Sequence, residues 1–306
     1  MNKKFDVIIA GAGPAGLTSS IYVSRAEYKV AVLEKGAPGG KVIRTAEVEN
    51  YPGYTSITGP ELGMKFYEQA MAMGANFIYS GLETFEKDGD TFLVTLENAE
   101  VIESKALIIA TGSKENLIGV PGEVELYGKG VSYCATCDGA FYKGKEVVVV
   151  GGGYSAIEEA IFLTRFVDKV YLVHRRQEFR ADKKSVDKAR TNPKIEFILD
   201  SVVTKINGDK KVANVEIKNI ISNETKSIEV SAIFPFIGQT AETHFMDKKL
   251  VNTEKNIIVN EKMETTIKGL YSAGDVRVTP FRQIATAVAD GALAGQEAVK
   301  YLEKLD

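Results

Sequence analysis

Residues 5–36 read FDVIIAGAGPAGLTSSIYVSRAEYKVAVLEKG, and the order of residue types in that stretch decides the fold. Phe5 to Ala10 is a short apolar run, as expected of a strand buried on both faces of a parallel sheet. Gly11-Ala12-Gly13-Pro14-Ala15-Gly16 follows, then a helical pattern, then a second apolar run, Val30 to Leu33, that ends in Glu34. Strand, glycine turn, helix, strand and acid together spell a dinucleotide-binding unit. Gly11 permits the tight turn, Gly13 lets the backbone approach a pyrophosphate, and Gly16 lets the helix pack close to the strand. Pro14 and Ala15 open a helix whose first amides face the phosphates. Glu34 stands where a carboxylate accepts hydrogen bonds from a ribose.

The same grammar returns at residues 145–176, KEVVVVGGGYSAIEEAIFLTRFVDKVYLVHRR. Val147 to Val150 is the strand, Gly151, Gly153 and Ala156 mark the turn, Tyr154 and Ser155 open the helix, and Val170 to Val173 is the next strand. Gly11 to Glu34 is 23 positions, and Gly151 to His174 is also 23. His174 therefore occupies the acid's place, with Arg175 and Arg176 next and Arg180 close behind. A carboxylate there repels a 2′-phosphate, whereas guanidinium groups pair with it. The second site reads as the NADP type. The first, with Glu34, fits an adenosine bearing a free 2′-hydroxyl, such as that of FAD or NAD. An ordinary exposed basic turn is the plain alternative for residues 174–180.

Two dinucleotide sites in one chain imply electron transfer between two cofactors, NADPH as donor and a tightly held flavin as acceptor. Both cysteines of the chain, Cys134 and Cys137, lie in CATCDG at residues 134–139. A C-x-x-C pair binds zinc, staples a turn or carries electrons. A structural zinc site wants four ligands, and the chain has 2 Cys and 2 His, the latter far away at His174 and His244. No metal site is expected, and a redox pair becomes the leading reading.

Bulk properties agree with an enzyme of ordinary kind. The 306 residues suffice for two domains, 44% hydrophobic content gives each a core, and a net charge of −3 argues against nucleic-acid or membrane-surface binding. No stretch reaches the ~18 apolar residues of a membrane span. The basic residues before the first apolar run faintly mimic a signal peptide, but Asp6 interrupts it. A cytoplasmic protein is expected.

The fold class is α/β, with two Rossmann-like domains, one inserted into the other. ALIIATGS (106–113) and IKGLYSAGDV (267–276) read as further strands of the first domain, the latter running into Gly274-Asp275, where the acid binds a sugar or ribitol hydroxyl or merely makes a turn. The following Ala- and Gly-rich helical run, from Gln283 to Leu302, implies close packing against the cofactor or the sheet. Residues 82–105 read as hairpins. Residues 1–114 and 245–306 are expected to form the flavin domain, and 115–244 the NADPH domain carrying the cysteines. GVPGE (119–123) and PFIGQTAET (235–243) supply Gly and Pro near the two crossings. Dithiol and nicotinamide must both reach one flavin from the inserted domain, so a swing about the crossings is expected.

GAGPAG, EVENYPG (47–53), ATG, CATCDG, GGGYSA, HRRQEFR, AGDV and RQ (282–283), in that order, resemble the bacterial-type low-molecular-weight thioredoxin reductases over essentially the whole chain. The resemblance implies a homodimer with FAD and NADPH domains, and thioredoxin as the oxidised substrate. It implies FAD contacts around Gly40, Lys41, Asn50, Thr111, Gly112, Gly274, Asp275, Arg282, Gln283 and Ile284. Electrons would pass from NADPH to FAD to a Cys134–Cys137 disulfide and then to the partner's disulfide, with Asp138 handling the proton. Three positions depart from the family pattern. Lys41 stands where a glutamine is common, Asn116 where an arginine is often found, and Ala140 where an aromatic is frequent. A different thioredoxin-like or peroxiredoxin-like partner remains an alternative. So does a ferredoxin-linked relative, although that group lacks the arginine motif, and so does a nucleotide-binding redox sensor.

Overall fold

The structure is a computed structural model and describes residues 3–45 and 47–305. The chain forms two compact units. One runs to Lys114 and resumes at Thr240; the other spans Glu115–Gln239.

The core of the first unit is a five-stranded sheet in the order Leu270–Ser272, Ala106–Ile109, Val7–Ala10, Val30–Leu33, Asn76–Ile78. Every neighbouring pair is parallel. The three inner strands, ALII, VIIA and VAVL, are buried at every position, which is why they read as unbroken apolar runs. The first strand starts at Val7 because Asp6 turns aside, its carboxylate accepting from Lys29 N at 2.6 Å. Leu82–Asp88, Thr91–Leu96 and Val101–Ser104 form an antiparallel meander, and Lys3–Lys4 adds a fourth, parallel strand at its edge.

Helices Pro14–Arg25 and Ile284–Leu302 pack against each other. The glycines of the second helix serve this contact, and the helix also packs against the sheet, as its composition led one to expect. A Cβ on Gly291 would lie 2.2 Å from Ala15 O, and one on Gly295 2.8 Å from Ser19 O. Ser19 Oγ, sealed in the interface, donates to Ala15 O and Gly291 O, both at 2.9 Å.

The second unit repeats the plan. Its four-stranded parallel sheet runs Ile195–Ile198, Lys169–Val173, Glu146–Val150, Ala232–Pro235. Its meander is Ser201–Gly208, Val212–Asn219, Thr225–Glu229. Helices Tyr154–Leu163 and Lys183–Arg190 complete it.

The crossings are two short strands, Ser113–Glu115 and Gln239–Ala241, joined as a ribbon. The return crossing thus falls ahead of residue 245. Residues 119–123 belong to the second unit rather than to the crossing: Ile206 N donates to Pro121 O at 3.0 Å. Among the described residues, no helix is long and apolar enough to cross a membrane.

Candidate active site

The first glycine turn lies at the carboxyl end of strand Val7–Ala10. Gly11 has φ 106°, and a Cβ there would meet Ala110 O at 2.4 Å. A Cβ on Gly16 would lie 1.9 Å from Gly11 O, so turn and helix close only over glycine. Gly13 caps helix Pro14–Arg25 without a side-chain hydrogen bond, leaving the helix amides to a ligand. Glu34 is fixed beside them, its Oε2 accepting from Ala12 N at 3.0 Å and its Oε1 from Gly36 N at 2.8 Å. This cradle of bare backbone with a fixed acid at its end fits an adenine dinucleotide with an unphosphorylated ribose.

The remaining flavin candidates fall around the same edge. Gly40 abuts Gly13, with a Cβ on Gly40 lying 3.0 Å from Gly13 Cα. Lys41 Nζ donates to Ser113 Oγ at 2.9 Å and lies 3.6 Å from Asp275 Oδ2. Arg282 Nε donates to Asp275 O at 3.4 Å, and Asn50 Nδ2 to Gln283 Oε1 at 3.1 Å. Gln283 forms a capping box with Thr286 at the start of helix Ile284–Leu302. Thr111 instead donates to Glu242 O at 2.8 Å, while a Cβ on Gly112 would meet nothing within 4 Å.

In the second turn Gly151 has φ 149°, and a Cβ would sit 2.5 Å from Phe236 O. Ala156, fully buried, takes the third position. Gly153 caps helix Tyr154–Leu163, again with no side-chain hydrogen bond, and Tyr154 and Ser155 lie exposed on its first turn. Residues 174–180 fold back over this turn. Arg180 N donates to Gly152 O at 2.8 Å, and the His174 ring lies over Gly152 so closely that a Cβ would meet it at 2.1 Å. The imidazole is 3.1 Å from Glu178 O and stacks on Phe179 at 4.9 Å. Burial pushes its pKa down; the hydrogen bond to Glu178 opposes this, and the charges of Arg175, Arg176 and Arg180 add to it. A neutral ring packs, and three exposed guanidinium groups stand around it, outside any ion pair among the described residues.

The cysteines form a disulfide, Cα to Cα 5.3 Å, across the short helix Ala135–Asp138. Cys134 Sγ accepts from Cys137 N at 3.2 Å and lies 3.3 Å from Thr136 Oγ1. Cys134 N donates to Ser132 Oγ at 3.2 Å. Asp138 Oδ1 is shut off from solvent with no hydrogen-bond partner. Burial raises the Asp138 pKa, against a hydrogen bond from Ser132 that lowers it. Tyr142 is pushed up to about 12, by burial first and then by the charge of Asp138. Upstream, Tyr133 OH donates to Glu123 Oε1 at 2.7 Å. The two Glu123 oxygens also accept from Ile118 N at 2.9 Å and Gly119 N at 2.8 Å. This buried carboxylate ties the entry loop to the segment leading into the disulfide.

A family model for pyridine nucleotide-disulphide oxidoreductases matches residues 5–291. The chain belongs to that family. It is 44% identical over 305 residues to the thioredoxin reductase of Bacillus subtilis, covering 99% of this chain and 96% of the relative. The crystal structure of thioredoxin reductase from Streptococcus pyogenes superposes with a TM-score of 0.95 at 46% identity, covering 99% of this chain and 100% of that one. Thioredoxin reductase from Giardia duodenalis is 36% identical, with a TM-score of 0.92 over 99% of this chain and 100% of that one.

Membership makes the chain an oxidoreductase of the type that works with a flavin and a pyridine nucleotide. Within this family frame, sequence reasoning missed several residues that organise the site. Asp290, buried in the last helix, accepts from Gly274 N at 3.1 Å. It also takes a two-pronged contact from Arg277, Nε at 2.7 Å and Nη2 at 2.6 Å. It fixes the loop that carries Asp275. An acid set between Ala289 and Gly291 in an Ala- and Gly-rich run was the signal. Ser113, Ser132 and Glu123 carried no comparable signal, since each is one polar residue in a mixed loop.

Proposed function

We propose that the chain is a thioredoxin-disulfide reductase, passing electrons from NADPH through FAD to the Cys134–Cys137 disulfide and on to the disulfide of thioredoxin. FAD would lie in the first unit on Gly11, Gly13, Gly16 and Glu34, with Asp275, Arg282 and Gln283 further along. NADPH would lie in the second on Gly151, Gly153 and Ala156, its 2′-phosphate among Arg175, Arg176 and Arg180. When bound, a flavin supplies a two-electron relay between nicotinamide and disulfide.

One observation carries this reading. A disulfide with a buried carboxyl beside it, its pKa raised by burial, shares a unit with a glycine turn that ends in a cluster of guanidinium groups. Once reduced, one thiolate attacks the partner's disulfide and forms a mixed disulfide, releasing the partner's other sulfur as a thiolate; the second cysteine then displaces the first partner sulfur. Asp138 is the group placed to give and retake the protons these thiolates exchange, because burial beside the disulfide raises its pKa above the usual carboxylate value. Cys134 Sγ is held for its part by the Cys137 amide, with the Thr136 hydroxyl in reach. Ala140 and Phe141, exposed just beyond, offer the surface for a partner. The basic loop favours NADPH over a ferredoxin donor. A cytoplasmic homodimer goes with this reading through the family resemblance.

The test is direct. The purified protein should be yellow, with about one flavin per chain. With NADPH, thioredoxin and a thiol-detecting dye it should turn over. A colourless protein that takes up no added flavin, or one that leaves thioredoxin oxidised, would overturn the proposal.

A further inference from the structure

Lys41 opens the short helical turn Gly40–Arg44. Its ammonium is drawn inward, 2.9 Å from Ser113 Oγ and 3.6 Å from Asp275 Oδ2, with its side chain 31% exposed. The three groups come from three places in the chain, and the sheet brings them together. Strand Ala106–Ile109 leads into Ser113, and strand Leu270–Ser272 leads into Asp275. The glycine turn follows the adjacent strand, Val7–Ala10, which pairs with Ala106–Ile109. Gly40 abuts Gly13, and Gly274 abuts Ala15, where a Cβ would lie 2.9 Å from the alanine's own. The ammonium therefore sits at the carboxyl edge of a parallel sheet, beside the glycine turn, where such sheets take their ligands.

We infer that Lys41 is a charge-compensating residue for the reduced flavin, raising the potential at which the bound group accepts electrons. The inference rests on the proposed function. A hydride brings one proton and two electrons, so its acceptor gains one negative charge. A cation held a third exposed at that edge favours the more negative form, and solvent and salt screen it only in part. Asp275 stays in place in every variant, so the expected change is that of losing one positive charge beside it.

The experiment compares flavin-loaded protein with Lys41→Gln and Lys41→Arg variants, all in a Cys137→Ser background so that only the flavin titrates. The readout is the flavin midpoint potential against a reference dye. Lys41→Gln should make reduction about tenfold less favourable, about 30 mV for a two-electron couple, and Lys41→Arg should retain most of the potential. Where Lys41→Gln does not fold, Lys41→Met, uncharged and of similar length, should show the same fall. An uncharged variant with an unchanged potential, or an arginine variant that falls as far as the glutamine one, would overturn the inference while leaving the proposed function standing. Parent protein that takes up no flavin would overturn the function itself.

Discussion

The two glycine turns share a spacing and differ in what ends them. In the first, Glu34 is clamped by two backbone amides and presents a fixed anion. In the second, the same position holds a neutral, stacked imidazole whose work is to pack, while the charge is handed to three exposed arginines. The two turns share a backbone plan and differ in the charge at its end. On the proposed function the shared turn takes a pyrophosphate, and selectivity is set one strand later.

The largest test asks whether the second unit does more than hold a nucleotide. Cys137→Ser should abolish disulfide reduction in a thioredoxin assay yet leave rapid bleaching of the flavin by NADPH. If bleaching also fails, the outlet and the nucleotide site are not separable.

Next in size is the third glycine position, where the turns already differ. Gly16→Ala drives a methyl to within 1.9 Å of Gly11 O, whereas Ala156 is native at the matching place. Gly16→Ala should cost about 3 kcal/mol or more and strip flavin from the protein, seen as lost colour and a lower Tm. Ala156→Gly should cost only about 1 kcal/mol.

Asp138→Asn should slow thioredoxin reduction about 100-fold, the usual share of a positioned acid, with nicotinamide affinity unchanged. The stability effect has the opposite sign. Burial raises the carboxyl's pKa in the folded protein, so its contribution is full below the ordinary carboxylate range and is lost as pH rises through the raised value. The Asn variant should therefore melt higher than the parent near neutrality, and the gap should close toward pH 3.

The smallest effect sharpens the comparison most. Arg175→Ala and Arg176→Ala each remove a charged contact of about 1.5–3 kcal/mol, so KM for NADPH should rise about tenfold or more, with kcat for NADH unmoved. An unchanged preference would make these arginines ordinary surface.

The parallel strands and both turns were legible because each is a local pattern: an apolar run long enough to be buried on both faces, then glycines at fixed offsets. Strands Val7–Ala10 and Glu146–Val150 fall on those runs. The capture of Lys41 by Ser113 and Asp275 was not legible, since it joins residues separated by 72 and more positions. Nor was the destination of the glycines at 291 and 295, because a small residue announces a close approach without naming its partner. Asp138 stands between these cases. Its nearness to the cysteines was plain in the sequence, but its burial, on which its acidity depends, was a property of the packed unit.

The ribbon formed by the two crossings has a further consequence. In the second unit Asn116 N donates to Gly238 O at 3.0 Å, one residue in from each end of that unit, so its two ends meet side by side. A segment whose ends touch behaves as a cassette: it is spliced into its host through a single seam, and its removal would leave two ends of the host close enough to rejoin, Glu242 N to Gly112 O being 3.1 Å. The chain thus has the architecture of a graft, a second glycine-turn sheet inserted within the first unit while that unit's five-stranded sheet stays whole.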